Sequence, residues 1–172
     1  MIPRMFAPLA LGLLLLAPAA VPATEAEGDS GVAREDLDPG VSRADLPEAT
    51  GGPLAVFAEV ERAWVDGDVD GLVALLDPEE KVSLSFSRSG PRGGWFNGDQ
   101  AYYLLKDMFE FSQTEFFEFR RYYNLDSAGR SPYAVAGRSF RLNGAPHEDQ
   151  VYISLRRRGD HWYVGEIRSI DR

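Results

Sequence analysis

Residues 133–170 read YAVAGRSFRLNGAPHEDQVYISLRRRGDHWYVGEIRSI, and their alternation decides the fold. Apolar and polar side chains trade places at period two along Tyr133–Leu142, Gln150–Arg157 and Trp162–Ile170, the pattern of long strands with two unlike faces. Asn143-Gly144 closes the first hairpin because both residues accept the positive φ of a two-residue turn, and Arg158-Gly159-Asp160 closes the second. Thr114 to Tyr123, dense in Phe and Tyr, supplies a further strand before them. Even-numbered hairpin loops pair odd positions with even ones. This puts Ala134, Ala136, Arg138, Phe140 and Leu142 beside Asp149, Val151, Ile153 and Leu155, and those beside Trp162, Val164, Glu166, Arg168 and Ile170. That more apolar face is the concave one. The opposite face carries Tyr133, Val135, Tyr152, Ser154, Tyr163, Gly165 and Ile167.

Upstream the period changes. Val56, Phe57, Val60, Ala63 and Trp64 fall on one helical stripe, opened by Gly52-Pro53 and stopped at Asp66-Gly67. Asp68 caps a shorter helix with Val69, Leu72, Val73 and Leu76 on its apolar side, ended by Asp77-Pro78. Val82, Leu84 and Phe86 alternate with Ser83, Ser85 and Ser87 as a strand, and Arg88 to Gly94 follows as a loop. Asn97-Gly98-Asp99 then opens a helix whose Ala101, Leu104, Leu105, Met108 and Phe109 recur at i, i+3, i+4, i+7 and i+8.

Helix, helix, strand, helix and then long antiparallel strands is an α+β order, in which the helices cover one face of a strongly curved, mostly antiparallel sheet. Three features add detail: the Gly67-Asp68 corner before Leu72, the strand-loop-helix through Asp99-Gln100-Ala101, and the strand pair Val151–Leu155 and Trp162–Arg168. Together they resemble the cone-shaped nuclear-transport-factor-like superfamily, and within it a secreted bacterial family known only as a domain of unknown function. The resemblance covers about Gly52 to Arg172. It implies a cone with a pocket, and a dimer through the convex sheet face. It implies no single activity, because the superfamily includes isomerases, dehydratases, ligand carriers and oligomerisation modules.

Arg138, Asp149, Glu166 and Arg168 meet at one end of the concave face, beside the space left by the small Ala134 and Ala136. Such a cluster could orient a small apolar or anionic ligand, or supply a general base. A ladder of cross-strand ion pairs is the competing reading. Trp162 and Tyr102, the latter near the start of the third helix, complete the candidate pocket residues. The loop Arg88 to Gly94 could cradle an anion but lacks phosphate-loop spacing, and Arg156-Arg157-Arg158 reads as a solvated turn guarding a sheet edge. His147 and His161 lie at opposite ends of one hairpin, on the order of 30 Å apart at about 3.3 Å per residue, and cannot share a metal ion. No catalytic trio of the ketosteroid type is assignable, no catalytic residue is named, and no motif implies a metal or cofactor.

The chain has 172 residues, no Cys and a net charge of −9. A missing Cys excludes disulfides, thiol catalysis and a lipidated terminus, and the acidic balance disfavours nucleic acid and anionic lipid. Residues 1–23 carry Arg4, the apolar run Leu9–Ala17 and the small-x-small site Val21-Pro22-Ala23, which together read as a cleaved signal peptide. The protein is therefore expected outside the cytoplasm, periplasmic or extracellular, with no stable membrane anchor. Residues 24–51, rich in Asp, Glu, Pro and Gly, read as a disordered acidic linker in which only Val41 to Leu46 could dock, leaving residues 52–172 as the folded domain. The functional expectation is an exported small-ligand-binding or protein-interaction module that forms a homodimer through its outer sheet face. The alternative is a small-molecule isomerase or hydrolase using a pocket carboxylate.

Overall fold

The computed structural model describes residues 40–46, 52–90, 92–126 and 129–171; the signal-peptide segment and most of the linker lie outside them. Helix α1 (Gly52–Asp66) buries Phe57, Val60, Ala63 and Trp64, the stripe its sequence spacing defines. Gly67 ends it at φ +66°, a conformation that costs a glycine little, and the Asp68 amide reaches back to the Ala63 carbonyl at 2.8 Å. The Asp68 carboxylate then accepts from the Gly71 amide and caps α2 (Val69–Ala74). Helix α3 (Gly98–Phe111) opens on a reciprocal capping box between Asn97 and Gln100, and buries Ala101, Leu105 and Met108.

The strands are β1 (Val41–Ser42), β2 (Val82–Ser85), β3 (Gly94–Phe96), β4 (Ser112–Tyr123), β5 (Tyr133–Leu142), β6 (Ala145–Arg158) and β7 (His161–Asp171). They form one sheet in the order β1-β4-β5-β6-β7-β2-β3, antiparallel except where β2 runs parallel to β7. Asn143 at φ 52° and Gly144 at φ 80° make the hairpin turn that their sequence signals, and the β5–β6 register pairs Ala134 with Ile153, Ala136 with Val151 and Arg138 with Asp149.

Two expectations need correction. First, β7 does not keep one alternation throughout. Leu155 pairs with Val164 but Ser154 pairs with Glu166, so Gly165 is an extra residue in β7, and the bulge reverses every later side chain. Ile167 and Ser169 therefore enter the core, while Glu166, Arg168 and Ile170 turn to the outer face. Second, residues 40–46 of the expected linker are structured. Val41 and Ser42 pair with Tyr122 and Arg121 on the edge of β4, a 3-10 turn spans Arg43–Asp45, and Leu46 packs against the core.

Between helices and sheet the concave face is closed. Phe119 pairs across the strands with Ala136, and Tyr122 with Ala134, so the large rings of β4 take up the room that the small residues of β5 leave. Phe57 meets Phe119 and Tyr122 edge-on at 5.3 and 5.6 Å, and Trp64 stacks on Phe117 at 4.6 Å. Phe57, Trp64, Leu105, Phe119, Ala134, Val151 and Ile153 are wholly buried, and an open groove beside Trp64, Val65, Phe109 and Thr114 lies at the margin of this packing.

Candidate functional site

Of the four charged residues expected at one end of the concave face, the sheet brings two together. Arg138 on β5 and Asp149 on β6 are direct cross-strand partners, and their side chains are 0% and 2% exposed. Nε and Oδ1 stand 3.2 Å apart in ion-pair contact without a well-aligned hydrogen bond. The guanidinium donates to the Ser89 hydroxyl at 3.1 Å and to the thioether of Met108 at 3.7 Å, and it lies 3.8 Å from the Phe140 ring centroid. Burial pulls the Arg138 guanidinium below its usual range against the pull of Asp149. Burial likewise raises the Asp149 carboxyl; Arg138 and the Ser169 hydroxyl oppose that shift, and the neighbouring Asp171 adds to it. Both directions agree that desolvation outweighs the attraction within the pair.

The pair continues into a polar chain. Ser169 accepts from the Ser87 amide at 3.0 Å, the Ser87 hydroxyl donates to Asp171 at 2.7 Å, and Arg88 binds Asp171 at 2.9 Å and contacts His147 at 3.4 Å. Hydrogen bonds from Arg88 and Ser87 hold the Asp171 carboxyl below its usual range. The loop after β2 is thereby stitched across the ends of β5, β6 and β7. This arrangement ties the sheet end together through one cross-strand ion pair of the four expected residues and a run of hydroxyls, and Ser87, Ser89 and Ser169 had no sequence signal beyond small polar residues near strand ends.

The other expected residues lie elsewhere. Glu166 and Arg168 are on the outer face, where the Arg168 guanidinium covers the Tyr152 ring at 4.9 Å. Trp162 keeps the inner side, but it pairs with Arg157 far along β6, on the order of 26 Å from Asp149 at about 3.3 Å per residue. It borders an open groove beside Leu125, Arg130 and Arg157. Tyr102 is half-buried on α3 and meets Tyr103 edge-on at 5.4 Å. Arg156 and Arg158 are not a solvated turn. They bind Glu80 and Glu79 and flank the buried Asp77 after α2, at 4.0 and 3.4 Å. Among the described residues no three His, Asp or Glu side chains are placed to hold a metal ion, and no helix is long and apolar enough to cross a membrane.

The outer face has a different character. Tyr123 stacks on Tyr133 at 4.5 Å, Tyr133 meets Tyr152 at a tilt with centroids 5.0 Å apart, and the row ends on Arg168. Around it stand Val135, Ser154, Gly137 and the half-exposed Ile170, with Trp95 64% exposed opposite Ser83 at the far side. Burial raises the Tyr152 phenol, with Glu166 contributing.

No family model and no curated protein matches the sequence. Solved structures do. A DUF4783 family protein from Bacteroides uniformis superposes with a TM-score of 0.56 at 14% identity, over 67% of this chain and 95% of its own. A ketosteroid isomerase-like protein from Erwinia carotovora atroseptica gives 0.57 at 12% identity, over 72% and 96%. A protein of ketosteroid isomerase-like fold from Catenulispora acidiphila, solved in complex with trimethylamine, gives 0.52 at 14%, over 70% and 86%. The chain has the α+β cone fold of these ketosteroid isomerase-like structures, the fold that its resemblance to the nuclear-transport-factor-like superfamily implies. Likeness at this identity carries the fold and leaves the activity open.

Proposed function

We propose that the protein is an exported, non-enzymatic interaction module that pairs with a second copy of itself through the outer face of its sheet. The observation that carries this reading is the Tyr123–Tyr133–Tyr152 row with Arg168, a half-exposed aromatic surface beside the exposed Ile170 and Trp95. The face spans β4, β5, β6, β7 and β2, roughly 20 Å across at about 4.8 Å per strand, which is the scale of a standard interface burying about 800 Å² per partner. Glu166 and Arg168 lie two positions apart on it, so a two-fold axis can set each acid against the other copy's base. The closed concave face supports the non-enzymatic half of the reading. An isomerase or hydrolase alternative has a carboxylate raised by burial in Asp149, yet that carboxylate is already engaged by Arg138 and Ser169. Export rests on residues 1–23 and is tested by N-terminal sequencing of secreted material, which should begin near Thr24. The interface is tested by changing Tyr152 and Ile170 together to Lys: the variant should elute as a folded monomer, and a variant that keeps the wild-type elution volume refutes the assignment.

A further inference from the structure

The edge of β4 is where the chain meets its own N-terminal arm, residues 40–46, and the contact is built in detail. Gly40, at φ +67°, lies flat against the Tyr123 ring; a side chain there would meet ring carbons at 2.5 Å. Val41 and Ser42 add a two-residue strand opposite Tyr122 and Arg121. Arg43 then donates to both oxygens of Glu61 on α1, at 2.8 and 2.6 Å, and approaches Glu118 of β4 at 3.8 Å. Glu61 in turn accepts from the Phe119 amide at 3.0 Å, a donor of β4 two residues short of the pair that β1 covers. The site thus recognises an extended Gly-Val-Ser-Arg segment by a flat aromatic seat, strand pairing and a carboxylate that binds the arginine and the sheet edge at once.

This segment is short and exposed. Residues 41–45 are all exposed, the strand is two residues long, and the Arg43 side chain is 47% exposed. A short exposed element opens more often than the core. The seat also belongs to the outer face: Tyr123, under Gly40, is the first ring of the Tyr123–Tyr133–Tyr152 row. From the arm, residues 47–51 lead to Gly52, itself at φ +65°, where α1 begins. A second copy docked on that face would bring an identical arm to an identical seat, the circumstance in which exchange of an element is cheap.

We propose that the β4 edge is a strand-addition site for the arm of a second copy, so that in the dimer residues 40–46 of one protomer pair with Arg121 and Tyr122 of the other. This rests on the outer-face dimer proposed above. Each β4 edge is then covered by the other chain's strand, and each Glu61 by the other chain's arginine. The exchange fastens a sheet-to-sheet contact that would otherwise depend on side chains alone.

The absence of cysteine allows a clean test. Ser42 and Arg121 are register partners and both are exposed, so cysteines at these positions stand within disulfide reach wherever the arm is seated. Full-length S42C and R121C variants are mixed, oxidised gently and analysed by non-reducing electrophoresis and peptide mass spectrometry. The proposal expects a covalent heterodimer joined between positions 42 and 121, formed at least tenfold faster than either homodimer. The S42C/R121C double variant, diluted to where the wild type is monomeric, reports seating within one chain. An intramolecular bond in that variant, with no 42–121 heterodimer in a mixture that sediments as a dimer, overturns exchange and leaves the outer-face dimer standing. A mixture that sediments only as monomer overturns both.

Discussion

Trp64 is the side chain that closes the cone, and Trp64→Ala tests that directly. The indole is wholly buried, stacked on Phe117 at 4.6 Å, edge-on to Phe109 at 5.6 Å, and 5.9 Å from the Arg138 guanidinium. Emptying such a site costs about 3–5 kcal/mol, of which the stack accounts for about 0.5–1.5. The indole N–H, however, is buried without a partner, so the wild type already carries an unsatisfied donor worth about 1–3 kcal/mol. Trp64→Phe preserves the stack and removes that donor, and should cost less than about 1.5 kcal/mol. Urea unfolding followed by far-ultraviolet circular dichroism gives both numbers. The space left by alanine is lined by Phe117, Phe109 and the Arg138 guanidinium, so indole at a hundred times its dissociation constant should return about 2.7 kcal/mol to Trp64→Ala and nothing to the wild type. A cost below about 1.5 kcal/mol for alanine, or stabilisation of the wild type by indole, would show that the cone already holds an open cavity, and the reasoning fails.

Further outcomes follow from the polar groups. Since burial outweighs attraction in the Arg138–Asp149 pair, replacing both together as Arg138→Met and Asp149→Leu should leave stability within about 1 kcal/mol of wild type or raise it; a large loss on urea titration contradicts this. The raised Asp149 carboxyl means that the folded state binds this proton more tightly than the unfolded chain. Its contribution is complete below pH 3.8 and is lost as pH rises through the folded value. Thermal melts should therefore show the wild type gaining on Asp149→Asn as pH falls from about 7 to about 4. Asp171 shifts the other way, so its contribution is full above pH 3.8 and fades only below that. At the arm, Glu61→Ala leaves the Phe119 amide without its acceptor and should cost about 1–3 kcal/mol, whereas Arg43→Ala removes a half-exposed ion pair and should cost less than about 1 kcal/mol; hydrogen exchange at Phe119 and Tyr122 distinguishes them.

The long strands, three helices, both hairpin turns and the Asp68 and Asn97 caps were legible because each is local: a period, a turn pair or a cap within four residues. The Arg138–Asp149 contact was legible too, since a two-residue Asn-Gly turn fixes the register of the strands that carry it. Glu166 and Arg168 were misplaced by one residue of bulge at Gly165; the three-residue step from Val164 to Ile167 across a glycine is its signal, which a strict period-two reading passes over. The hollow beside Ala134 and Ala136 was expected because small residues leave room; the rings that fill it come from β4 and α1, whose alignment no hairpin fixes. Val41 to Leu46 was legible as a stretch that could dock, but where it docks was not: its partners, Tyr122 and Glu61, lie 81 and 18 positions from Val41 and Arg43 in sequence and are set by tertiary contact alone.

The account stands or falls on whether the outer face is an interface. Sedimentation velocity on the wild-type protein, from about 1 to several hundred micromolar, measures this without any substitution. The predicted result is a species of twice the chain mass that dominates at the upper concentrations and dissociates on dilution, with Tyr152→Lys/Ile170→Lys remaining a folded monomer throughout. A wild type that stays monomeric at several hundred micromolar contradicts the claim.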